Sequence, residues 1–492
     1  MKESRREFLK KSGSCALGMV TLATQVQHLG LMSALAQRVD DDSKSPEGGA
    51  NYKALVLIFL SGGNDGNNLV VPNHNDATIS NYGVYSAIRS NLAIPQASLL
   101  PISVPRMGNL TYGLHPSFGT IANGINGGIH ELWAQQKMAI VTNCGTLVTP
   151  TTKAQMSQST HPKPYQLYSH SDQTAQYQTG VSNTQSFTGW GGRVSDKMTF
   201  GNNPNGLVPM VTSIAGSQLF TAGQTTLPLA INDSNTLLAN VLNPAGFTNT
   251  GGPARLTAFN ALRTQDLQSN YVAAASNITN MAMQANGALQ TPGDTTVAFP
   301  NTSIGRQLRQ VARLIKKRLD LNVNRQIFYV QIGGFDTHTG QINQQTNLFG
   351  QYSQAVRSFY DEMTAQNVQN DVTTFTLSDF GRTMNPAGAG TADVGSDHAW
   401  ANNMFVIGGS VLGGNFYGMN SAVNGTPYPH LQLGGLDDTD GGSAPRGRWI
   451  PSTSVDQYAA TLARWYGLPD ADMASVFPNI GNFTSSNLGF MG

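Results

Sequence analysis

Charge is the scarcest ingredient of this chain. Only 12% of its residues are Asp, Glu, Lys or Arg, about half the usual ~25%. The net charge is +1, so there is no bulk electrostatic case for a nucleic-acid partner. Cysteine is almost missing: two in 492 residues, Cys15 and Cys144. Cys15 falls in a stretch that reads as a removable leader, so no internal disulfide remains after processing and thiolate zinc sites are excluded. Any metal must then be held by His, Asp, Glu or Asn. Beyond the leader, no stretch reaches the ~20 apolar residues of a membrane span.

Asn, Gln, Ser, Thr and 53 glycines fill the place of charge, a balance that suits a secreted or periplasmic protein with many surface loops. The N-terminus points the same way. SRREFLKK at 4–11 pairs Arg5 with Arg6 and follows them with Phe8-Leu9-Lys10, the pattern of a twin-arginine export signal. A mildly apolar stretch, CALGMVTLA, leads to Ala34-Leu35-Ala36, which reads as a signal-peptidase site with the mature start at Gln37. The expected partner is the twin-arginine export machinery. That route carries folded proteins, often with a cofactor already loaded, which favours a metal site. Residues 37–51 read as a polar linker and 52–492 as one large domain.

Apolar runs without alternation mark buried parallel strands. ALVLIFL (54–60) is one, and similar runs recur at MAIVTN (138–143), QIFYVQI (326–332), TTFTL (373–377) and MFVIGG (404–409). Helical patterns lie between them. SIGRQLRQVARLIKKRL (303–319) aligns Ile304, Leu308, Val311, Ile315 and Leu319 on one face. Residues 345–365 read as another helix. SVDQYAATLARWYG (454–467) opens with a capping box, Ser454 and Gln457, and closes at Gly467. Strands alternating with helices predict an α/β fold, a doubly wound and mostly parallel sheet flanked by helices. The polar stretch at about 195–300 reads as an insertion or cap with one or two helices.

In open α/β sheets ligands collect beyond the carboxyl ends of the strands. After ALVLIFL comes SGGNDGNN, with Asn64 and Asp65. After QIFYVQI comes GGFDTHTG, with Asp336 and His338. After TTFTL comes SDFGR, with Asp379 and Arg382. Before MFVIGG lies GSDHAW, with Asp397 and His398. Acids converging at one sheet edge repel one another unless a cation sits between them. A divalent metal meets that need: a mixed Asp and His set suits zinc or manganese, an oxygen-rich subset magnesium or calcium. Singly, each residue has a plainer reading. Asp336 suits a helix cap, His338 a turn and His398 a hydrogen-bonded core. YSHSDQTAQYQTG (168–180) places Ser169 and His170 at a helix start, where backbone N–H groups favour an anion and a hydroxyl near a metal becomes a usable alkoxide. An ordinary Ser N-cap is the alternative.

Taken in order, LVLIFLSGGNDG, SHSDQ, GWGGR, QIGGFDTH, LSDFGRT, GSDHAW and GRWIPSTSVDQYAATLARWYG resemble the domain-of-unknown-function family 1501 over nearly the whole mature chain. These bacterial proteins, often exported by the twin-arginine route, are related to the alkaline phosphatase and sulfatase superfamily. The resemblance implies an alkaline-phosphatase-like core and a hydrolytic site with one or two metals. It implies metal ligation by Asp65, Asp336, His338, Asp379 and His398. It implies Ser169 as the nucleophile, with Arg382 or His170 steadying the anion. The implied activity is hydrolysis of phosphate or sulfate esters. A non-catalytic metal-containing envelope protein and a phosphotransferase acting on envelope glycans are the alternatives. Alkaline phosphatases carry an Asp-His pair where this chain has Asp379-Phe380, which puts a second metal in question. A conventional sulfatase is not expected, because SVPRM and SAPRG lack the spacing of the formylglycine signature.

Overall fold

The computed structural model describes residues 51–120, 127–226, 228–241, 250–265, 267–268, 270–290, 293–387 and 393–492. The expected export signal and nearly all of the expected polar linker lie outside them. The centre is a nine-stranded sheet. Its middle strand, β1 (Lys53–Leu60), pairs in parallel with β8 (Arg325–Ile332) on one side and β9 (Val372–Ser378) on the other. Beyond β8 come β6 (Val211–Ser213) and β7 (Leu229–Ala230), both parallel. Beyond β9 come β10 (Asn402–Gly408) and β5 (Met138–Gly145), and β5 also pairs with β11 (Phe416–Tyr417) and β12 (Thr453–Ser454). A small antiparallel sheet of β2 (Val70–Pro72), β4 (Leu110–Leu114) and β3 (Leu100–Val104) stands apart.

The unbroken apolar run of β1 has a direct cause: both of its faces are buried. Ala54, Val56, Ile58 and Leu60 share one core with Ile304, Leu308, Val311 and Ile315 of the helix Ser303–Lys316, and with Phe349, Val356 and Phe359 of the helix Gln341–Ala365. Leu55, Leu57 and Phe59 face the other core. There they meet Trp190 and Val194 of the helix Trp190–Asn202, and Tyr458 and Leu462 of the helix Val455–Tyr466. Each buried Val, Leu, Ile or Phe among them contributes about 1.5–3 kcal/mol through burial. Helices thus cover both faces of the sheet, as the alternation of patterns implies. The capping box of Ser454 and Gln457 is formed, and Gly467 closes that helix in a left-handed conformation. The helix from Ser303 stops at Lys316, so Leu319 falls outside it and is 60% exposed rather than part of its apolar face. Within 195–300 the chain first adds β6 and β7 to the main sheet, then forms the helices Gly252–Arg263 and Asn270–Leu289. No helix among the described residues is long and apolar enough to cross a membrane.

One strand departs from the parallel expectation. β10, the MFVIGG strand, runs antiparallel to both β9 and β5. Apolar content reports burial but not direction, so the sequence reads the same either way. The reversal matters for function. It brings the residues that precede β10 to the edge where β1, β8 and β9 end.

Candidate metal centre

Leu60 pairs with Ile332 of β8 and with Ser378 of β9, so the three strands finish level. The turns that follow are pressed together. Gly62 has φ +114°, and a Cβ there would lie 2.4 Å from the Asp336 backbone nitrogen. Only glycine allows both that conformation and that approach. A buried arginine ties the turns to one another. The Arg382 guanidinium donates to the carbonyls of Gly63 at 2.8 Å, Gly62 at 2.5 Å, Phe335 at 3.1 Å and Ser396 at 2.9 Å, and to Asp336 Oδ1 at 2.6 Å. The expectation that it steadies a bound anion does not match this placement. Its donors are committed to the scaffold, and its side chain is 0% exposed.

At the edge so formed, three imidazoles converge on one carboxylate. Asp336 Oδ1 lies 3.1 Å from His338 Nε2, 3.5 Å from His170 Nε2 and 3.5 Å from His398 Nε2. The Nε2 atoms of His338 and His398 are 3.0 Å apart. His170, Asp336 and His398 offer ligand atoms within 4.8 Å of one another. The other nitrogen of each ring faces an acceptor. His170 Nδ1 donates to Asp379 Oδ2 at 2.8 Å, and His398 Nδ1 donates to the Tyr168 carbonyl at 2.8 Å. His338 Nδ1 is 3.7 Å from Asp397 Oδ1. The hydrogen bonds of His170 and His398 fix the tautomer that leaves Nε2 with a free lone pair.

Two observations fit a metal at this point. The His170 Nε2 is buried and has no hydrogen-bond partner. The second is spacing. Ligand atoms around a tetrahedral zinc at ~2.0–2.1 Å stand about 3.3 Å from each other; the three contacts to Asp336 Oδ1 and the His338–His398 contact run from 3.0 to 3.5 Å, and the ligand atoms of His170, Asp336 and His398 all lie within 4.8 Å of one another. The electrostatics also suit it. Partial burial alone would raise the Asp336 pKa, but the hydrogen bond and charge of Arg382 outweigh it and hold the carboxyl below its ordinary value. The hydrogen bond to Asp379 raises His170 above the usual imidazole value, against the effect of burial. Burial lowers His398. The Phe380 ring packs 4.4 Å from the His398 ring and 4.7 Å from that of His170, closing one wall. A cavity of about 440 Å³ opens beside the cluster, lined by Ser61, Gly62, His170, Ser171, Thr174, Gly334, Asp336 and Asp379.

The structure sorts the expected ligands into different places. Asp336, His338 and His398 meet. Asp379 stands one step back, with Oδ2 on His170 and Oδ1 accepting from the Gly62 N–H at 3.0 Å. Asp65 is elsewhere. It caps the short helix Gly66–Leu69, accepts from Gln341 Nε2 at 2.6 Å and forms a buried ion pair with Arg89. Both of its oxygens are taken by these partners. Ser169 is the N-cap residue of the helix His170–Thr179, and its hydroxyl donates to Asp172 Oδ2 at 2.5 Å. The cavity is lined by Ser171 and Thr174 instead. His170, expected to steady an anion, sits among the ligand atoms. The sequence shows it at a helix start, but its partner Asp379 lies 209 residues away, a pairing that local pattern cannot reveal.

Comparison with curated proteins gives no match. Among solved structures, a sulfatase, PsFucS1 from Pseudoalteromonas sp., aligns over 79% of this chain and 68% of its own, at 11% identity and a TM-score of 0.26. The lipoteichoic acid synthase LtaP from Listeria monocytogenes aligns over 85% and 81%, at 9% identity and a TM-score of 0.24. At these scores neither likeness bears on what the chain does. The sequence pattern of a family described as protein of unknown function (DUF1501) matches residues 52–428. The chain belongs to that family.

Proposed function

We propose that this chain is an exported, metal-dependent hydrolase of phosphate or sulfate esters, with one divalent ion held by His170, Asp336, His338 and His398. The convergence of three imidazole Nε2 atoms on Asp336 Oδ1 carries this reading. Three neutral imidazoles and one carboxylate suit zinc first and manganese next, and they disfavour the oxygen-seeking magnesium and calcium. Such an ion, when bound, supplies Lewis-acid polarisation of an ester oxygen.

The chain's own groups account for the rest. Asp379 and the Tyr168 carbonyl hold the His170 and His398 rings in their ligand tautomers. Arg382 fixes the carboxylate and the turns. The first turn of the helix His170–Thr179 borders the cavity through His170, Ser171 and Thr174, and its free N–H groups favour an anionic group there. Phe380 shields the rings where a second metal's histidine would stand, which favours one ion over two. Carriage by the twin-arginine machinery, and a substrate on envelope glycans, extend the reading.

The test is a panel of p-nitrophenyl phosphate, bis-p-nitrophenyl phosphate and p-nitrophenyl sulfate, run on zinc-loaded and chelator-treated protein. Hydrolysis of at least one ester, abolished by chelation and by His398→Ala, is expected. Zinc-loaded protein inert on every member would leave a metal site without this chemistry and overturn the hydrolase reading.

A further inference from the structure

Tyr168 stands just before the helix that carries His170, with φ +72°, and Gln166 two residues earlier has φ +48°. Side chains with a Cβ rarely occupy this region. They are held there only where the surroundings over-determine the backbone. Two contacts of Tyr168 lead to one residue, His398. Its carbonyl accepts from His398 Nδ1 at 2.8 Å. Its ring seats the Arg448 guanidinium, 5.2 Å from the centroid. Arg448 Nε donates to the His398 carbonyl at 2.9 Å. Asp440 in turn holds Arg448 through both oxygens, at 3.0 and 3.1 Å. The Tyr168 N–H is fixed by Gln173 Oε1 at 2.5 Å.

We infer that Tyr168 and Arg448 form a clasp that positions His398 as a metal ligand, gripping its ring from one side and its backbone from the other. The inference rests on the metal reading above. The strained backbone of Tyr168 aims a carbonyl at the one nitrogen that must carry the proton if Nε2 is to bind an ion. Arg448 locks that arrangement by touching both members. Arg448 lies beyond residue 428, where the family match ends, so the clasp recruits the C-terminal part of the chain to the site. An isolated strained tyrosine could serve packing alone. The shared arginine is what ties the strain to the ligand.

The test titrates zinc chloride into metal-free full-length protein, as wild type, Tyr168→Gly, Tyr168→Phe and Arg448→Lys. Melting of each metal-free protein is followed alongside. Glycine accepts the left-handed backbone without strain but removes the seat for Arg448 and frees the carbonyl to wander. Lysine keeps the charge and loses the planar fork. Both variants should bind zinc about 10–100-fold more weakly, the usual cost of losing an outer partner. Tyr168→Phe, which keeps the ring, should stay within about 2-fold. The melting temperature of metal-free Tyr168→Gly should fall by no more than about 3 °C. Wild-type affinity in both Tyr168→Gly and Arg448→Lys overturns the clasp. So does a loss of affinity matched by a collapse in melting, with Tyr168→Phe failing as well. A wild type that takes up no zinc removes the metal reading itself, and the clasp with it.

Discussion

Two turns of this protein begin alike and end in opposite roles. After β1 the chain reads Ser-Gly-Gly-Asn-Asp, and after its neighbour β8 it reads Gly-Gly-Phe-Asp. Each places an aspartate in a glycine-rich turn at the same sheet edge. The Asp65 side chain is 1% exposed and paired with Arg89, while the Asp336 side chain is 48% exposed and faces three histidines. The difference comes from elements the turns do not contain. Arg89 ends the helix Tyr82–Arg89, and that helix lays a guanidinium against Asp65. The reversed β10 and the helix from His170 deliver imidazoles to Asp336 instead. Glycine-flanked acids at strand ends therefore mark a place, and their partners decide the chemistry.

Replacing each aspartate by asparagine should separate the two roles. Asp65→Asn leaves Arg89 without a counter-charge in complete burial, where breaking a pair costs about 3–5 kcal/mol. Denaturant unfolding should show the largest loss of stability of any change considered, while the folded fraction still binds zinc. Asp336→Asn should do the reverse. Its amide oxygen can still accept from Arg382, so metal-free stability should shift by only about 1 kcal/mol. Zinc affinity should fall by more than about 100-fold, beyond the 10–100-fold of an outer partner. Equal stability losses in the two variants would erase the distinction.

Asp379→Asn tests the step behind the ligands. It leaves all four proposed ligand side chains intact and removes the charge that fixes His170, so zinc affinity should drop about 10–100-fold. The smallest effect is in pH. The hydrogen bond to Asp379 raises the folded-state pKa of His170. The pairing therefore stabilises the metal-free fold fully below the unfolded histidine value near ~6.5 and is lost as pH rises through the folded value. Because the His170 side chain is 36% exposed, solvent screening should keep this contribution below about 1 kcal/mol. Melting of wild type against Asp379→Asn between pH 5 and 9, roughly the range of a shifted histidine, should show a steeper loss of stability with rising pH in the first than in the second.

Much of this was legible in the residues. Unbroken apolar runs found the central strands because β1, β8 and β9 are covered on both faces. Ser454, Gln457 and Gly467 marked a helix at both ends because caps are local chemistry. Glycine-rich turns at strand ends single out Asp336, His338 and His398 as candidates, and the structure brings the three together. The failures share one cause. The fate of Asp65 depends on Arg89, the role of His170 on Asp379, and the reach of His398 on the direction of β10. Each is a long-range pairing that leaves no mark in the nearby sequence. Ser169 does stand at the N-cap, but its hydroxyl donates to Asp172 three residues on and makes no capping hydrogen bond to the backbone.

Zinc titrated into chelator-stripped protein, with the bound ion counted by elemental analysis, tests the central claim most directly. The account predicts one ion per wild-type chain, retained in Asp65→Asn and lost in His170→Ala and His398→Ala. No bound ion, or one ion that survives both histidine substitutions, would contradict it.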